Sequence, residues 1–179
     1  FIRKQLLNTP LLYPPFTATL YSDLGFMVLE WVVEAQAGLT LPEYLTEYIL
    51  GPASLKHLFF YDVDAANPFE NDQFAATEDC PWRKTVMTGV VQDENAYFMG
   101  GYSGHAGLFG NIEDVYALTK LLKEHHLGDR HDLFSPETVR TFFARQDLGA
   151  GSTWALGWDT PSKTESSSGN YFSEETVGH

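Results

Sequence analysis

Basic side chains, cysteine and long apolar runs are all scarce in this 179-residue sequence. It has 11 Lys and Arg against 24 Asp and Glu, a formal net charge of −13. That balance argues against nucleic acid or an anionic membrane surface as the main partner, because both are polyanions. The single cysteine, Cys80, excludes an internal disulfide and a Cys-rich zinc ribbon. No apolar run reaches about 18 residues without a charge, so no membrane span is predicted.

Metal-binding and targeting patterns are also missing. The six histidines form neither an HExxH motif nor a pair with zinc-like spacing. His125 and His126 lie near a predicted helix C-terminus, where the dipole favours a charged imidazole. The sequence therefore predicts no metal and no cofactor. The first residues, FIRKQLLNTP, show no signal-peptide pattern and no initial methionine, so we expect an excised piece of a longer protein.

What the sequence does contain is a folded, mostly helical chain. The apolar fraction of 44% and the aromatic fraction of 15% support a core, and the length fits one domain. A nearly all-apolar segment, 24–37, predicts a core helix that stops at Gly38. Thr40 and Glu43 form a capping box for the next helix, which ends at Gly51.

The second half predicts two more helices and little strand. Asn111 is expected to cap a helix that Gly128 ends, and Ser135 opens a short helix with Val139, Phe142 and Phe143 facing inward. Residues 62–85 have little periodicity and are expected to be irregular. The stretch WALGWDT is expected to form a strand, and the final ETVGH is expected to be the start of another.

The strongest chemical signal is the triplet Tyr21-Ser22-Asp23 at the start of the apolar helix. A tyrosine acts as a base where a neighbouring ammonium lowers the phenol pKa from about 10. The alternative is that Ser22 or Asp23 caps the helix and Tyr21 packs. The triplet alone leaves both open.

A glycine-rich stretch, GGYSGHAGLFGN at residues 100–111, is the second signal. It lacks the GxGxxG and GxxxxGK[ST] spacings of phosphate-binding loops. It is expected to bring the backbone close to a pocket, with His105 serving either function or packing. In the preceding QDENA stretch, Asp93 or Asn95 is expected to cap a turn rather than to form an acid pair with Glu94.

Three stretches in order, YSDLGF, DENAYFMGGYSGHAGLFGNIEDV and a VGH that follows LGWD, resemble the serine β-lactamase-like family of class C β-lactamases, DD-peptidases and esterases. The resemblance covers nearly the whole chain. It implies an α+β fold, mainly the helical subdomain of the β-lactamase/transpeptidase-like fold. Few strands are expected because the N- and C-terminal parts of the sheet would lie outside a single partial domain, residues 1–179.

The resemblance also implies the roles of individual residues. The family has a serine and a lysine in an SxxK motif, a Tyr-x-Asn motif for proton transfer, and a Lys/His-Thr-Gly motif that lines the site. Tyr21 would be the catalytic proton-transfer residue. Asp23, which stands where the family has Asn, would be the second catalytic residue and would hold the catalytic lysine. His179 would open the third motif and bind substrate, together with Ser103 and His105. An ionised Asp accepts hydrogen bonds but does not donate them, which favours esterase- or peptidase-like activity over β-lactamase activity.

No SxxK occurs in the sequence, so the nucleophile is expected to precede this fragment and the fragment is expected to be inactive. The resemblance thus predicts part of a serine hydrolase with an acyl-enzyme mechanism and a small-molecule or peptide substrate. The alternative is a non-catalytic penicillin-recognising protein or a helical interaction module. The sequence leaves the substrate open among a β-lactam, a peptidoglycan peptide and an ester. It also leaves open the compartment, bacterial cytoplasm or periplasm, and the oligomeric state.

Overall fold

The computed structural model describes residues 1–65, 69–146, 152–162, 166 and 168–179. Two compact units make up the chain: Phe1–Thr9 with Ser22–Leu118, and Pro10–Tyr21 with Thr119–His179. The single partial domain over residues 1–179 stays a prediction.

Helix is the main regular structure of the described residues, and the predicted α+β class is confirmed. The helices are α1 (Ile2–Asn8), α2 (Asp23–Ala37), α3 (Leu41–Leu45), α4 (Glu94–Phe98), α5 (Ile112–Leu127) and α6 (Pro136–Phe143). A π-helical turn, Thr46–Leu50, continues α3, and Asn71–Gln73 form a 3₁₀ turn. The strands β1 (Ala76–Cys80) and β2 (Thr85–Thr88) form the one sheet of the described residues.

In the first unit, helix α2 begins and ends where its sequence signals lie. The Ser22 hydroxyl accepts a hydrogen bond from the Leu24 N–H at 3.2 Å, which satisfies one free donor of the first turn. Gly38 ends the helix in the left-handed conformation, with φ of 68°. Ser22 is therefore the helix cap that the sequence allowed.

The prediction that α2 is a core helix is wrong in part. Its buried residues are Met27, Glu30 and Trp31, whereas Leu29 is 57% exposed and Val32 is 51% exposed. Within the described residues, one face of the helix packs and the opposite apolar face has no covering element.

The segment after α2 follows its capping box into the core of the first unit. The Thr40 hydroxyl accepts from the Glu43 N–H, and a Glu43 carboxylate oxygen accepts from the Thr40 N–H at 2.8 Å. The π-helical turn then buries Leu50 against Leu55 and Leu58, which are each 4–6% exposed. Gly51 follows, because a Cβ there would lie 2.8 Å from the Thr46 carbonyl oxygen.

The expectation of an irregular segment over residues 62–85 is wrong in part, because an antiparallel hairpin begins there. Cys80 pairs with Thr85 across a turn in which Lys84 adopts a positive φ of 55° and its N–H donates to the Cys80 carbonyl at 2.8 Å. Arg83 stabilises the turn by stacking over Trp82 and Tyr97 at 4.5 and 4.3 Å.

The second unit contains α6 and the end of α5. The Ser135 hydroxyl accepts from the Thr138 N–H at 3.0 Å, as the sequence predicts for a helix start. Val139 is buried, but Phe142 is 49% exposed, so its predicted inward orientation is wrong. His125 is fully buried in this unit, and its Nδ1–H donates to the Leu121 carbonyl at 2.8 Å.

The two strands predicted near the end of the chain are wrong as strands. Trp154 and Gly178 each form an isolated bridge with Asp159. Paired hydrogen bonds of 2.8 and 3.0 Å join Asp159 to Gly178, so the final residues still lie against the WALGWDT segment. Gly157, with φ of 78°, turns the chain too soon for a longer ladder to form.

Among the described residues no single helix is long and apolar enough to cross a membrane. Helix α2 and the segment Leu41–Leu50 reach that length and composition only when taken together, across a 70° bend.

Candidate active site

The glycine-rich loop, residues 100–107, packs tightly in the first unit. A Cβ on Gly104 would lie 2.2 Å from the Phe26 carbonyl oxygen of α2. A Cβ on Gly107, whose φ is 104°, would lie 2.5 Å from the Gly101 carbonyl oxygen. Glycine is required at these positions because any side chain would push the loop away from α2 or from itself.

A buried carboxylate holds the same loop to α2. Glu30 is 6% exposed, and its Oε2 accepts hydrogen bonds from the Ser103 hydroxyl at 2.6 Å and the Gly104 N–H at 2.8 Å. Ser103 is itself 2% exposed. This contact favours a structural part for Ser103, and its substrate-binding role stays a prediction.

His105 leaves the loop next and meets Asp93. Its side chain is 5% exposed, and its Nε2 lies 2.9 Å from Oδ1 of Asp93. The carboxylate only accepts, so Nε2 carries the proton and donates it. Asp93 also accepts from the Ala96 N–H at 2.8 Å, which caps α4 as the sequence predicts.

The surroundings of Asp93 favour its ionised form. Burial raises the pKa of this carboxyl, but the hydrogen bonds from the Ala96 N–H, from His105 and from the Asn95 N–H, with the attraction to His105, together outweigh burial. The pKa of Asp93 therefore lies below its ordinary value of 3.8.

Asp23, at the start of α2, lies beside this pair. Asp23, Asp93 and His105 each present one ligand-type atom, and these atoms lie within 4.8 Å of one another. A metal-bound imidazole normally donates its second N–H to an acceptor. Nδ1 of His105 is buried and has no partner in the described part of the chain. The group therefore fits a hydrogen-bonded His–Asp pair better than a metal centre.

The second unit holds the other predicted residues. The ring of Tyr21 stacks on Trp154 at 5.6 Å, and it lies 6.0 Å from the imidazole of His179. Tyr21 is 55% exposed. The bridge between Asp159 and Gly178 fixes the chain just before His179, which explains why the last residue lies near Tyr21.

Each unit thus brings together one part of the predicted set: Asp23 with His105 in the first, and Tyr21 with His179 in the second. Sequence reasoning missed the partners Glu30, Asp93 and Trp154. Glu30 is one of two glutamates, with Glu34, in the apolar segment 24–37, and the sequence does not show which of them is buried. The contacts of Asp93 and Trp154 are made with residues distant in sequence or across a turn, and local patterns carry no signal for them.

Two cavities in the first unit adjoin the His105–Asp93 pair. A cavity of about 610 Å³ is lined by Asp93 and by aromatic rings that include Phe59, Phe74 and Phe109. A smaller one, about 370 Å³, is lined by Glu30 and His105 among apolar side chains. Asp93 thus lines the larger cavity and its hydrogen-bond partner His105 lines the smaller one.

Comparison with known proteins places these residues in a family. The family model described as Beta-lactamase matches residues 1–179. An Escherichia coli (strain K12) protein, provisionally named a D-alanyl-D-alanine carboxypeptidase, is 35% identical over 98% of this chain and 43% of its own length. An N-acetylmuramyl-L-alanine amidase of Bacillus subtilis (strain 168) is 32% identical over 98% of this chain and 42% of its own length. The chain therefore spans less than half the length of these relatives.

Solved structures agree on the fold. A penicillin-binding protein from Bacillus halodurans matches with a TM-score of 0.63 and 19% identity, over 91% of this chain and 47% of its own. A β-lactamase from Mycobacterium bovis matches with a TM-score of 0.60 and 19% identity, over 94% of this chain and 50% of its own. At these identities the likeness concerns the fold, which is the predicted partial β-lactamase/transpeptidase-like fold.

Proposed function

The chain belongs to the β-lactamase family, and from that premise we propose that it is part of a serine hydrolase that cleaves a peptide amide through an acyl-enzyme. The observation that carries the proposal is the closeness of two rings, Tyr21 and His179, at 6.0 Å. These residues lie more than 150 positions apart in the sequence. The resemblance assigned both of them to the site, and Tyr21 was also a candidate from its own triplet.

Tyr21 would move the proton during acyl transfer. A serine oxygen attacks the carbonyl carbon, its proton passes through Tyr21 and a lysine to the leaving nitrogen, and the C–N bond breaks. Water then cleaves the ester and restores the serine. Tyr21 is 55% exposed, which leaves more than half of the residue open to solvent, while stacking on Trp154 orients the ring. His179 would face the substrate carboxylate.

Asp23 favours an amide or ester over a β-lactam. In place of an asparagine it offers acceptors alone, which suit a substrate N–H and do not suit an amide carbonyl. One relative is provisionally named a carboxypeptidase and another is named an amidase, and both names describe enzymes that cleave amide bonds. The proposed substrate is accordingly a cell-wall peptide.

The nucleophilic serine and its lysine would come from outside these 179 residues, because the sequence has no SxxK. These groups act as a unit, so their loss removes most of the rate. The 179-residue chain by itself is expected to give no turnover of nitrocefin or p-nitrophenyl acetate above buffer. Burst kinetics with either reagent would contradict this part of the proposal.

Labelling of the longer protein that contains this chain tests the whole proposal. A fluorophosphonate probe is expected to label one serine, and a muramyl-L-alanyl peptide or a peptide ending in D-Ala-D-Ala is expected to be hydrolysed. Labelling by fluorescent penicillin without hydrolysis of either peptide would favour the non-catalytic alternative. Absence of labelling by both probes would overturn the hydrolase assignment.

A further inference from the structure

Helix α2 carries a buried acid that the proposed reaction does not use. Glu30 is 6% exposed and lies seven residues, two helical turns, after Asp23, so both project from one face of α2. Burying a carboxylate costs free energy unless it is paired or hydrogen-bonded. In the described part of the chain, Glu30 forms no ion pair with Lys, Arg or His, and two hydrogen-bond donors from the glycine-rich loop take that place.

These donors belong to consecutive residues. The Ser103 hydroxyl donates to Oε2 of Glu30 at 2.6 Å, and the Gly104 N–H donates to the same oxygen at 2.8 Å. The turn is closed on the other side by two backbone hydrogen bonds between Ser103 and Ala106, at 2.8 and 3.1 Å. The four residues 103–106 are therefore fixed as one tight turn against α2.

His105 lies inside this turn, so its position depends on the hydrogen bonds between Glu30 and the turn. Its Nε2 lies 2.9 Å from Oδ1 of Asp93, and one of its ring nitrogens lies within 4.8 Å of a carboxylate oxygen of Asp23. We propose that Glu30 is a positioning residue: its carboxylate holds the turn that sets His105 against Asp93 and beside Asp23. The expected effect of Glu30 on the reaction rate rests on the proposed function. Its expected effect on the position of His105 rests on the contacts alone.

The two donors of the loop, the Ser103 hydroxyl and the Gly104 N–H, explain why a hydrogen-bond acceptor is needed at position 30. Without it, the buried Ser103 hydroxyl and the half-buried Gly104 N–H would be donors with no partner, which costs free energy. The turn would move to hydrate them and would carry His105 away from Asp93. Gln at position 30 can replace the acceptor, because one amide oxygen accepts two hydrogen bonds. Ala cannot.

The experiment compares Glu30→Ala, Glu30→Gln and Glu34→Ala in the full-length protein. Glu34 is the matched control because it lies on α2 and its Oε1 also accepts a backbone N–H, that of Leu41 at 3.0 Å, but not one from the loop. Imidazole ¹⁵N signals are followed against pH, with His105 assigned by its loss in His105→Gln. The rate kcat/KM is measured on the peptide substrate.

Glu30→Ala is expected to shift the His105 titration and to lower kcat/KM on the order of 10- to 100-fold, since a misplaced group costs about that much. Glu30→Gln and Glu34→Ala are expected to keep the His105 titration of the unchanged protein. If Glu30→Ala does not fold, Glu30→Asp replaces it, with the same expected shift because its carboxylate is one methylene shorter.

A Glu30→Ala protein whose His105 titrates as before would overturn the inference, whatever its thermal stability. So would an equal shift in Glu34→Ala. If the unchanged protein hydrolyses no peptide, the proposed function fails, and the His105 titration alone then decides the role of Glu30.

Discussion

Nε2 of His105 lies 2.9 Å from Oδ1 of Asp93, and the same carboxylate oxygen accepts the Ala96 N–H that starts α4. One side chain thus caps a helix and orients an imidazole from a separate loop. Because Asp93 must be ionised to accept both hydrogen bonds at full strength, the contact depends on pH.

Acid is expected to weaken this contact in a predictable window. The pKa of Asp93 is lower in the folded protein than its ordinary value of 3.8. A carboxyl with a lowered folded pKa contributes stability that is complete above its unfolded pKa and is lost as pH falls through the folded pKa. The Asp93→Asn substitution keeps the cap acceptor but does not ionise. Urea unfolding of both proteins at pH 7, 5, 4 and 3 measures the difference.

The difference in unfolding free energy between the unchanged protein and the Asp93→Asn variant should shrink as the pH falls below about 4, through the lowered pKa of Asp93. The comparison removes the effect of other carboxylates, which titrate in both proteins. A difference that stays constant down to pH 3 would mean that the charge of Asp93 contributes nothing to stability.

If the chain is part of the proposed serine hydrolase, Asp23→Asn is expected to increase the reaction of that hydrolase with β-lactams. The substitution supplies an N–H donor where the ionised acid has acceptors alone, and it removes one of two carboxylates within 4.8 Å of each other. A gained hydrogen bond of ordinary strength corresponds to roughly 3- to 10-fold faster acylation by fluorescent penicillin. Asp23→Ala, which neither donates nor accepts, is the control. An Asn variant no faster than the Ala variant would show that position 23 does not contact the β-lactam.

Local signals in the sequence predicted the helix ends well. Ser22, Thr40 and Ser135 each accept the backbone N–H that their positions predict. Such caps depend on residues two or three positions apart, so one sequence is sufficient to find them.

Burial and pairing were predicted less well because they depend on distant residues. The exposed side of α2 has an apolar sequence, which periodicity alone assigns to a core. The hairpin of β1 and β2 was hidden by Pro81 and by charges, and burial does not alternate regularly along β2. Glu30 contacts residues more than 70 positions away, and no local pattern encodes such a contact.

The tight packing of the glycine-rich loop can be measured with one matched pair of alanines. Gly104→Ala places a Cβ 2.2 Å from a backbone oxygen of Phe26, which cannot rotate away. Gly25→Ala, inside α2, meets nothing within 4 Å. We expect Gly104→Ala to lower the unfolding free energy by about 2 kcal/mol or more. Gly25→Ala should raise it by up to about 1 kcal/mol, because alanine is the better helix former.

Urea denaturation of the Gly104→Ala and Gly25→Ala variants, with the midpoint and slope fitted separately, measures both effects. Equal midpoints for both variants would show that the loop has room to move away from Phe26, and the close approach at Gly104 would then carry no energetic weight.

Tyr21→Phe tests the residue on which the proposed chemistry depends. Phenylalanine keeps the ring stacked on Trp154 at the observed 5.6 Å and removes the hydroxyl alone, so the unfolding free energy should change little. Loss of a proton-transfer group typically costs 10²- to 10⁴-fold in rate, roughly. We therefore expect kcat on the peptide substrate to fall by at least about 100-fold, with a smaller change in KM. Tyr171→Phe, at a fully exposed ring, is the control and should match the unchanged protein. A Tyr21→Phe protein within about twofold of the unchanged rate would exclude the phenol from proton transfer, since the ring and its neighbours are otherwise preserved.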